Sequence, residues 1–166
     1  MQNDFIDGTL GTKEAESIIT KVVKKIKEFQ GEVIFTRDTH DQHYLTTSEG
    51  KQLPVFHCIK GSDGWQLHSD INDLMSSMNA RVFDKGAFGS VELAQVLAKE
   101  NESTRIDRIE FCGICTDICV ISNVMLCKAF LPETEILVHS ACCAGVTPKS
   151  HQNALDAMRA CQVTIV

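Results

Sequence analysis

The order of elements along the chain predicts an α/β protein built on a mostly parallel sheet. Two observations carry that prediction. Short apolar runs bounded by turn residues recur as GEVIFT (31–36), ARVFDK (80–85), RIEFCG (108–113) and EILVHS (135–140), each the length of a buried strand. Between them lie stretches with apolar residues at helical spacing, the connection that parallel strands require. A length of 166 residues, with 43% hydrophobic and 23% charged side chains, suits a single domain over 1–166.

The first helix, over 13–29, places Ile18, Ile19, Val22, Val23, Ile26 and Phe29 at helical spacing with lysines between them, and Gly31 ends it. After the strand at 31–36, residues 37–64 lack periodicity and are rich in His, Asp, Gly and Ser. So long an irregular stretch inside a domain usually carries function. A modest helix follows at 66–78. Behind the strand at 80–85, Ser90 is suited to cap a helix carrying Val91, Leu93, Val96 and Leu97. A helix over 118–130 follows the strand at 108–113. Thr147, with Pro148 at the first helical position, starts the last helix, and the chain closes on QVTIV (162–166). Ligands in such sheets bind beyond the carboxyl ends of the strands. The start is anomalous, because the chain opens on a loop and a helix where doubly wound sheets open on a strand, often a central one. The expectation is that this first strand is missing.

Lys and Arg number 16 against 22 Asp and Glu, a formal charge of −6. With no basic stripe, neither nucleic acid nor an anionic membrane is an expected partner. No apolar run approaches the ~20 residues of a membrane span, and MQNDFIDGTLG is too acidic and too poor in apolar residues for a secretory signal. Disulfide scaffolds are usually much smaller than this chain. Its eight cysteines therefore read as mostly free thiols in a reducing compartment, the cytoplasm.

Three segments carry candidate chemistry, all at carboxyl ends of strands. In FCGICTDICV (111–120) a strand runs into Gly113 and delivers Cys119 to the first turn of a helix that Thr116 or Asp117 can cap. A thiol there faces the positive end of the helix dipole, which lowers its pKa, and the N–H groups of the turn can bind an oxyanion. The competing reading is one more buried thiol. Cys112 and Cys115 form a C-x-x-C that reads as a redox pair or half a zinc site, although no second C-x-x-C stands at suitable spacing. RDTHDQHYLTTSEGKQLPVFHC (37–58) offers Asp38 and His40, two apart at a strand end and so able to point the same way, then Glu49 and His57. Two imidazoles and two carboxylates suit zinc, iron or manganese. His43 competes with Glu49, and surface loops also collect His and Asp without any metal. FDKGAFGS (83–90) ends a strand on Lys85, placed either to stabilise negative charge and move a proton or to face solvent.

Together, QNDF (2–5), Asp38-x-His40 with Glu49 and His57, DKGAF (84–88) and GICTDICV (113–120) resemble the isochorismatase-like cysteine hydrolases, most closely the nicotinamidases, also called pyrazinamidases. The resemblance spans nearly the whole chain and implies a Rossmann-like three-layer sandwich, a mostly parallel sheet flanked by helices. It implies Cys119 as nucleophile, Lys85 as the lysine of an Asp–Lys–Cys triad, a cis peptide between Ile114 and Cys115, and an oxyanion hole from the N–H groups of Cys115 and Cys119. It also implies Asp38, His40, Glu49 and His57 as ligands of a divalent metal, zinc first with iron or manganese as alternatives, and Phe5 as an aromatic lining the pocket. The loop LPVFH (53–57) departs from the family pattern, so the aromatic that stacks on the pyridine ring has no match. The implied reaction, a step of NAD salvage, hydrolyses nicotinamide to nicotinic acid and ammonia. Cys119 attacks the carboxamide carbon of a ring oriented through the metal, ammonia leaves, and water hydrolyses the thioester. The implied partner is this small amide, and family members often form homo-oligomers.

One departure bears on activity. The family's triad aspartate stands two positions before the Gln of QNDF, which here would precede Met1. Asp4 matches a later aspartate of the motif and is not read as the general base. The expectation is a chain short of a central strand and of its proton acceptor, inactive or nearly so. High amidase activity from a protein beginning at Met1 would refute it. Two readings compete with the nicotinamidase one: a family hydrolase acting on another small amide or carbamoyl compound, and a catalytically silent metal-binding module. A thioredoxin-like role for Cys112 and Cys115 is disfavoured because Cys112 lies within a strand.

Overall fold

The computed structural model describes residues 1–166 and alternates seven helices with five strands. Helices α1 (Asn3–Ile6) and α2 (Lys13–Glu28) precede β1 (Ile34–Asp38). Helices α3 (Ser48–Gln52) and α4 (Ser69–Ser77) lead to β2 (Arg81–Lys85), and α5 (Val91–Ser103) leads to β3 (Arg108–Ile114). Helix α6 (Ile121–Phe130), β4 (Glu135–Ala144), α7 (Pro148–Ala160) and β5 (Thr164–Ile165) complete the chain. Strand β1 pairs with β2, β3 with β4, and β4 with β5, every pair parallel. The α/β class and the parallel sheet read from the sequence are both present.

Local chemistry starts the helices where the sequence places them. Thr12 accepts the Ala15 N–H ahead of α2, Ser90 accepts the Leu93 N–H ahead of α5, and Thr147 exchanges bonds with Ser150 ahead of α7. Two apolar cores give the three layers. One joins Ile18, Val22 and Ile26 of α2 to Ile71 of α4 and Phe35 of β1. The other joins Leu93 and Leu97 of α5 and Val124 of α6 to Ile136 and Val138 of β4 and Leu155 of α7. Ile34 packs against the second core and Phe35 lies in the first, as strand alternation requires.

The structure differs from the sequence reading in four places. The opening residues form α1, four residues long and too short to show periodicity. The irregular stretch 37–64 contains a 3₁₀ turn, Tyr44–Thr46, as well as α3. The helix expected from 118 starts as a π-helical turn over Thr116–Val120 and becomes α-helical only at Ile121. Strand β4 runs to Ala144, past its expected end at 140, because β3 and β4 resume pairing beyond an irregularity at Phe111/Gly113. Gly113 sits at φ +122°, a conformation that glycine adopts without the Cβ penalty. The sheet is in two parts, and no strand stands between β1 and β3.

Candidate active site

The register of β1 on β2 sets Asp38 opposite Lys85 at the carboxyl ends of both strands. Lys85 Nζ donates to Asp38 Oδ1 at 3.1 Å and to the Ala87 carbonyl at 3.1 Å, and lies 3.6 Å from Cys119 Sγ. Cys119 is carried by the π-helical turn directly after β3, and the Ile114–Cys115 peptide at the end of that strand is cis. Neither Thr116 nor Asp117 caps the turn, contrary to expectation. The Thr116 hydroxyl pairs with His151 Nδ1 at 2.8 Å, and the Asp117 carboxylate accepts the Val146 N–H at 3.1 Å, so both side chains bind the end of β4 and α7 instead. The turn closes on the Cys115 carbonyl, which accepts from the Ile118 and Val120 N–H groups.

The electrostatics of this pair also differ from the sequence reading. Burial pushes the Cys119 thiol up, and the Lys85 charge only partly offsets it, so the resting thiol is protonated and not the thiolate expected from a helix N-terminus. Burial works against the Lys85 ammonium, but the Cys119 and Asp38 charges outweigh it and raise the lysine above its ordinary value. Burial pushes Cys112 up to about 11 and Cys115 up to about 12. All eight cysteines are free, and Cys112 and Cys115 take part in no metal-binding cluster.

The second group gathers around the other oxygen of Asp38. His40 Nε2 donates to Asp38 Oδ2 at 3.2 Å; His57 Nε2 lies 3.7 Å from the same oxygen and 3.8 Å from Glu49 Oε1; His40 Nε2 is 3.9 Å from Glu49. The four donor atoms all lie within 4.8 Å of one another. Ligands at ~2.0–2.1 Å from a tetrahedral zinc stand about 3.3 Å apart, so the histidine–carboxylate pairs are near that spacing and the wider pairs of the set would draw together around the ion. His57 Nδ1 donates to the Val55 carbonyl at 2.9 Å, which turns Nε2 inward, the usual arrangement for a metal-binding imidazole. Helix α3 supplies Glu49, and His43 stands outside the cluster on the exposed turn before it. Burial alone would raise the Asp38 carboxyl. The His40 hydrogen bond, the His57 imidazole facing the same oxygen and the Lys85 charge prevail and hold it far below the usual carboxylate range. Burial disfavours the charged form of His57, but the bonds to Asp38 and to Val55 raise it overall.

Several supporting residues escaped the sequence reading. The Gln2 side-chain amide donates to the Asp38 carbonyl and accepts the Asp38 N–H, both at 2.7 Å. Asp4 accepts the Cys58 N–H at 2.7 Å and so anchors the residue beside His57. The Tyr44 ring packs against His40 and His57 at 4.6 and 4.9 Å between centroids. Asn123 donates to the Cys119 carbonyl at 2.7 Å and accepts the Ser90 N–H at 2.9 Å, tying the Cys119 turn to the loop after Lys85. An asparagine four residues past the cysteine in an otherwise apolar helix is the one signal that points to it. Phe5 stands edge-on to His57 with centroids 5.5 Å apart.

The isochorismatase domain family matches residues 1–166. The chain belongs to the isochorismatase family. A relative within it, described as an uncharacterized isochorismatase family protein PncA of Bacillus subtilis (strain 168), is 28% identical over 164 residues, covering 93% of this chain and 87% of its own. The isochorismatase fold is also that of the pyrazinamidase/nicotinamidase from Streptococcus mutans UA159, with TM-score 0.84, 24% identity and coverage of 99% and 95% of the two chains. The pyrazinamidase of Pyrococcus horikoshii, solved in complex with zinc, gives TM-score 0.79 and 23% identity over 100% of this chain and 94% of its own. Membership makes this chain a hydrolase of that family, and no helix in it is long and apolar enough to cross a membrane.

Proposed function

We propose that this hydrolase is a nicotinamidase-like amidohydrolase, which converts nicotinamide to nicotinic acid and ammonia through a thioester on Cys119. The observation that carries the reading is the single carboxylate of Asp38, which joins a Lys85–Cys119 pair to a four-donor cluster suited to a divalent ion. The likeness to relatives named for this activity supports it. A metal held by Asp38, His40, Glu49 and His57, zinc first with iron or manganese as alternatives, would supply a Lewis-acidic anchor for a ring nitrogen. Phe5, beside His57, flanks that anchor.

Cys119 Sγ forms the bond to the carboxamide carbon, the oxyanion is held by the N–H groups of Cys115 and Cys119, the C–N bond breaks as the nitrogen takes up a proton and leaves as ammonia, and water then cleaves the thioester to release the acid and the Cys119 thiol. Lys85 is an ammonium and accepts no proton; its part is to stabilise the sulfur as a thiolate. No carboxylate bonds to Cys119, and Asp4 is already engaged by the Cys58 N–H and the Thr9 hydroxyl. The thiol proton passes to solvent or to the departing nitrogen. The free thiols suit a cytoplasmic protein.

A second reading keeps the chemistry and changes the substrate to another small amide or carbamoyl compound. The loop 53–57 favours it, because it departs from the family pattern and its Phe56 is 44% exposed. A third, a silent metal-binding module, is favoured by the compact four-donor cluster together with a Cys119 thiol that bonds to no carboxylate. Ammonia release from nicotinamide and a panel of small amides, with zinc-loaded protein and a Cys119→Ala blank, separates the three. Release from nicotinamide above the blank supports the proposal. Release only from other amides moves it to the second reading. No release, together with no labelling of Cys119 by pyridine-3-carboxaldehyde, leaves the third.

A further inference from the structure

The turn that carries Cys119 has no side-chain cap of its own. Its backbone closes on the Cys115 carbonyl, and Asn123 holds the Cys119 carbonyl. Its first two residues are held from a distance, by the start of α7. Thr116 is 0% exposed, and its hydroxyl has one partner, His151 Nδ1 at 2.8 Å. Asp117 accepts the Val146 N–H at 3.1 Å, but that bond is open to solvent and holds the turn less firmly than the buried one.

The place of His151 is itself fixed. It lies in the first turn of α7, its N–H bonds to the Thr147 carbonyl, and Thr147 is tied to Ser150 by a capping box. The chain entering α7 passes directly against it. A Cβ on Gly145 would stand 2.9 Å from the Cα, Cβ and N of His151, so only glycine allows this approach. Ala154, Leu155 and Met158 seat the rest of the helix in the core. The imidazole is thus presented by a rigid element and not by a loop.

The burial of Thr116 sets the direction of the bond. If His151 donated from Nδ1, the Thr116 hydroxyl hydrogen would have no acceptor, a state that buried polar groups rarely adopt. The hydroxyl therefore donates and Nδ1 accepts, which requires an uncharged ring with its proton on Nε2. Burial pushes His151 below its ordinary value, and the Asp117 charge offsets this only in part, in keeping with that state. Thr116 follows Cys115 directly, and the Cys115 carbonyl accepts the Ile118 and Val120 N–H groups on either side of Cys119. A shift of Thr116 therefore moves the Cys115 peptide and, through it, the turn that presents Cys119.

We propose that His151 is a positioning residue, which by accepting the Thr116 hydroxyl holds the Cys115 and Cys119 N–H groups in line with an oxyanion formed at Cys119. The role rests on the amidohydrolase reading above. Two probes of Cys119 on the full, zinc-loaded chain test it. With pyridine-3-carboxaldehyde, the sulfur bonds to the aldehyde carbon, the C=O π bond opens, and the thiol proton ends on an oxygen that occupies the oxyanion position. With iodoacetamide, the S–C bond forms as iodide leaves, and no oxyanion arises. His151→Ala should weaken the aldehyde adduct about tenfold or more while leaving the alkylation rate within about twofold. Amide exchange over residues 115–120, read by fragment mass, should quicken about tenfold. His151→Asn, whose carboxamide oxygen can stand where Nδ1 does, should restore both. Thr116→Val should weaken the adduct as much as His151→Ala, and the double variant no further. Equal aldehyde affinity in wild type and His151→Ala, no restoration by His151→Asn, a parallel fall in alkylation, additive losses in the double variant, or unchanged exchange over 115–120 would each overturn the positioning role. A wild type that is alkylated yet forms no aldehyde adduct would overturn the amidohydrolase reading, and this role with it.

Discussion

Lys85 Nζ meets Asp38 Oδ1 at 3.1 Å where two parallel strands end in register, and each side chain is only 4% exposed. The other oxygen of the same carboxylate faces His40 and His57. One buried Asp thus balances the charge beside the thiol and completes the donor cluster, so the two centres cannot be altered independently through it.

Asp38→Asn should cost the metal-free protein about 3 kcal/mol, because it strands the Lys85 ammonium in the interior. The pH dependence follows from a folded-state carboxyl held below its ordinary value of 3.8. Such a group stabilises the fold fully above its unfolded pKa, and that contribution fades as pH falls below about 4 toward the folded value. Urea midpoints from pH 7 down to pH 3 should therefore drop more steeply for the wild type than for Asp38→Asn.

Lys85→Met removes the one cation that opposes the upward push of burial on Cys119. Each unit of further rise lowers the thiolate fraction at pH 8 about tenfold. Iodoacetamide labelling of Cys119, followed by peptide mass against the exposed Cys161, should slow by at least that factor. Cys112 and Cys115, at about 11 and about 12, should stay unlabelled in both proteins. An unchanged Cys119 rate would show that Lys85 does not act on the thiol.

Asp4→Asn keeps the shape but weakens the acceptor that holds the Cys58 N–H next to His57. Zinc affinity, measured by titration calorimetry, should fall about tenfold or more, as is usual when a residue that orients a ligand is changed. Loss of a proposed ligand in His57→Ala should do more, and should abolish the rise in melting temperature expected when zinc is added to the wild type.

Gln2→Ala removes both bonds to the Asp38 peptide and leaves its buried N–H and C=O unpaired. A loss of about 2–4 kcal/mol is expected, read from urea unfolding. If Gln2 only fills space, Gln2→Leu would restore stability; if the bonds matter, it will not.

Legibility varied from residue to residue. The caps at Ser90 and Thr147 and the apolar face of α2 obey local rules and stand where the sequence places them, and Thr12 caps α2 by the same chemistry. The turn around Cys119 does not, because Thr116 and Asp117 find partners 35 and 29 residues away, respectively, that outbid a cap. Spacing alone left Glu49 and His43 equivalent, and the fold of α3 put only the former beside the histidines. Gln2 looked like part of a short motif, whereas its work is done on a peptide group 36 residues distant.

By itself, then, the sequence determined the α/β class and singled out, as expectations, the thiol, the lysine and the four donors that the fold brings together at strand ends. These rest on periodicity, capping and residue type, which act over a few neighbours. Tertiary structure decided what long-range packing alone sets. It placed Asp38 between two centres, left the Cys119 thiol protonated by burying it, and recruited Gln2, Asp4 and Asn123 as supports. Burial and strand register are sums over distant segments, and no local pattern encodes them.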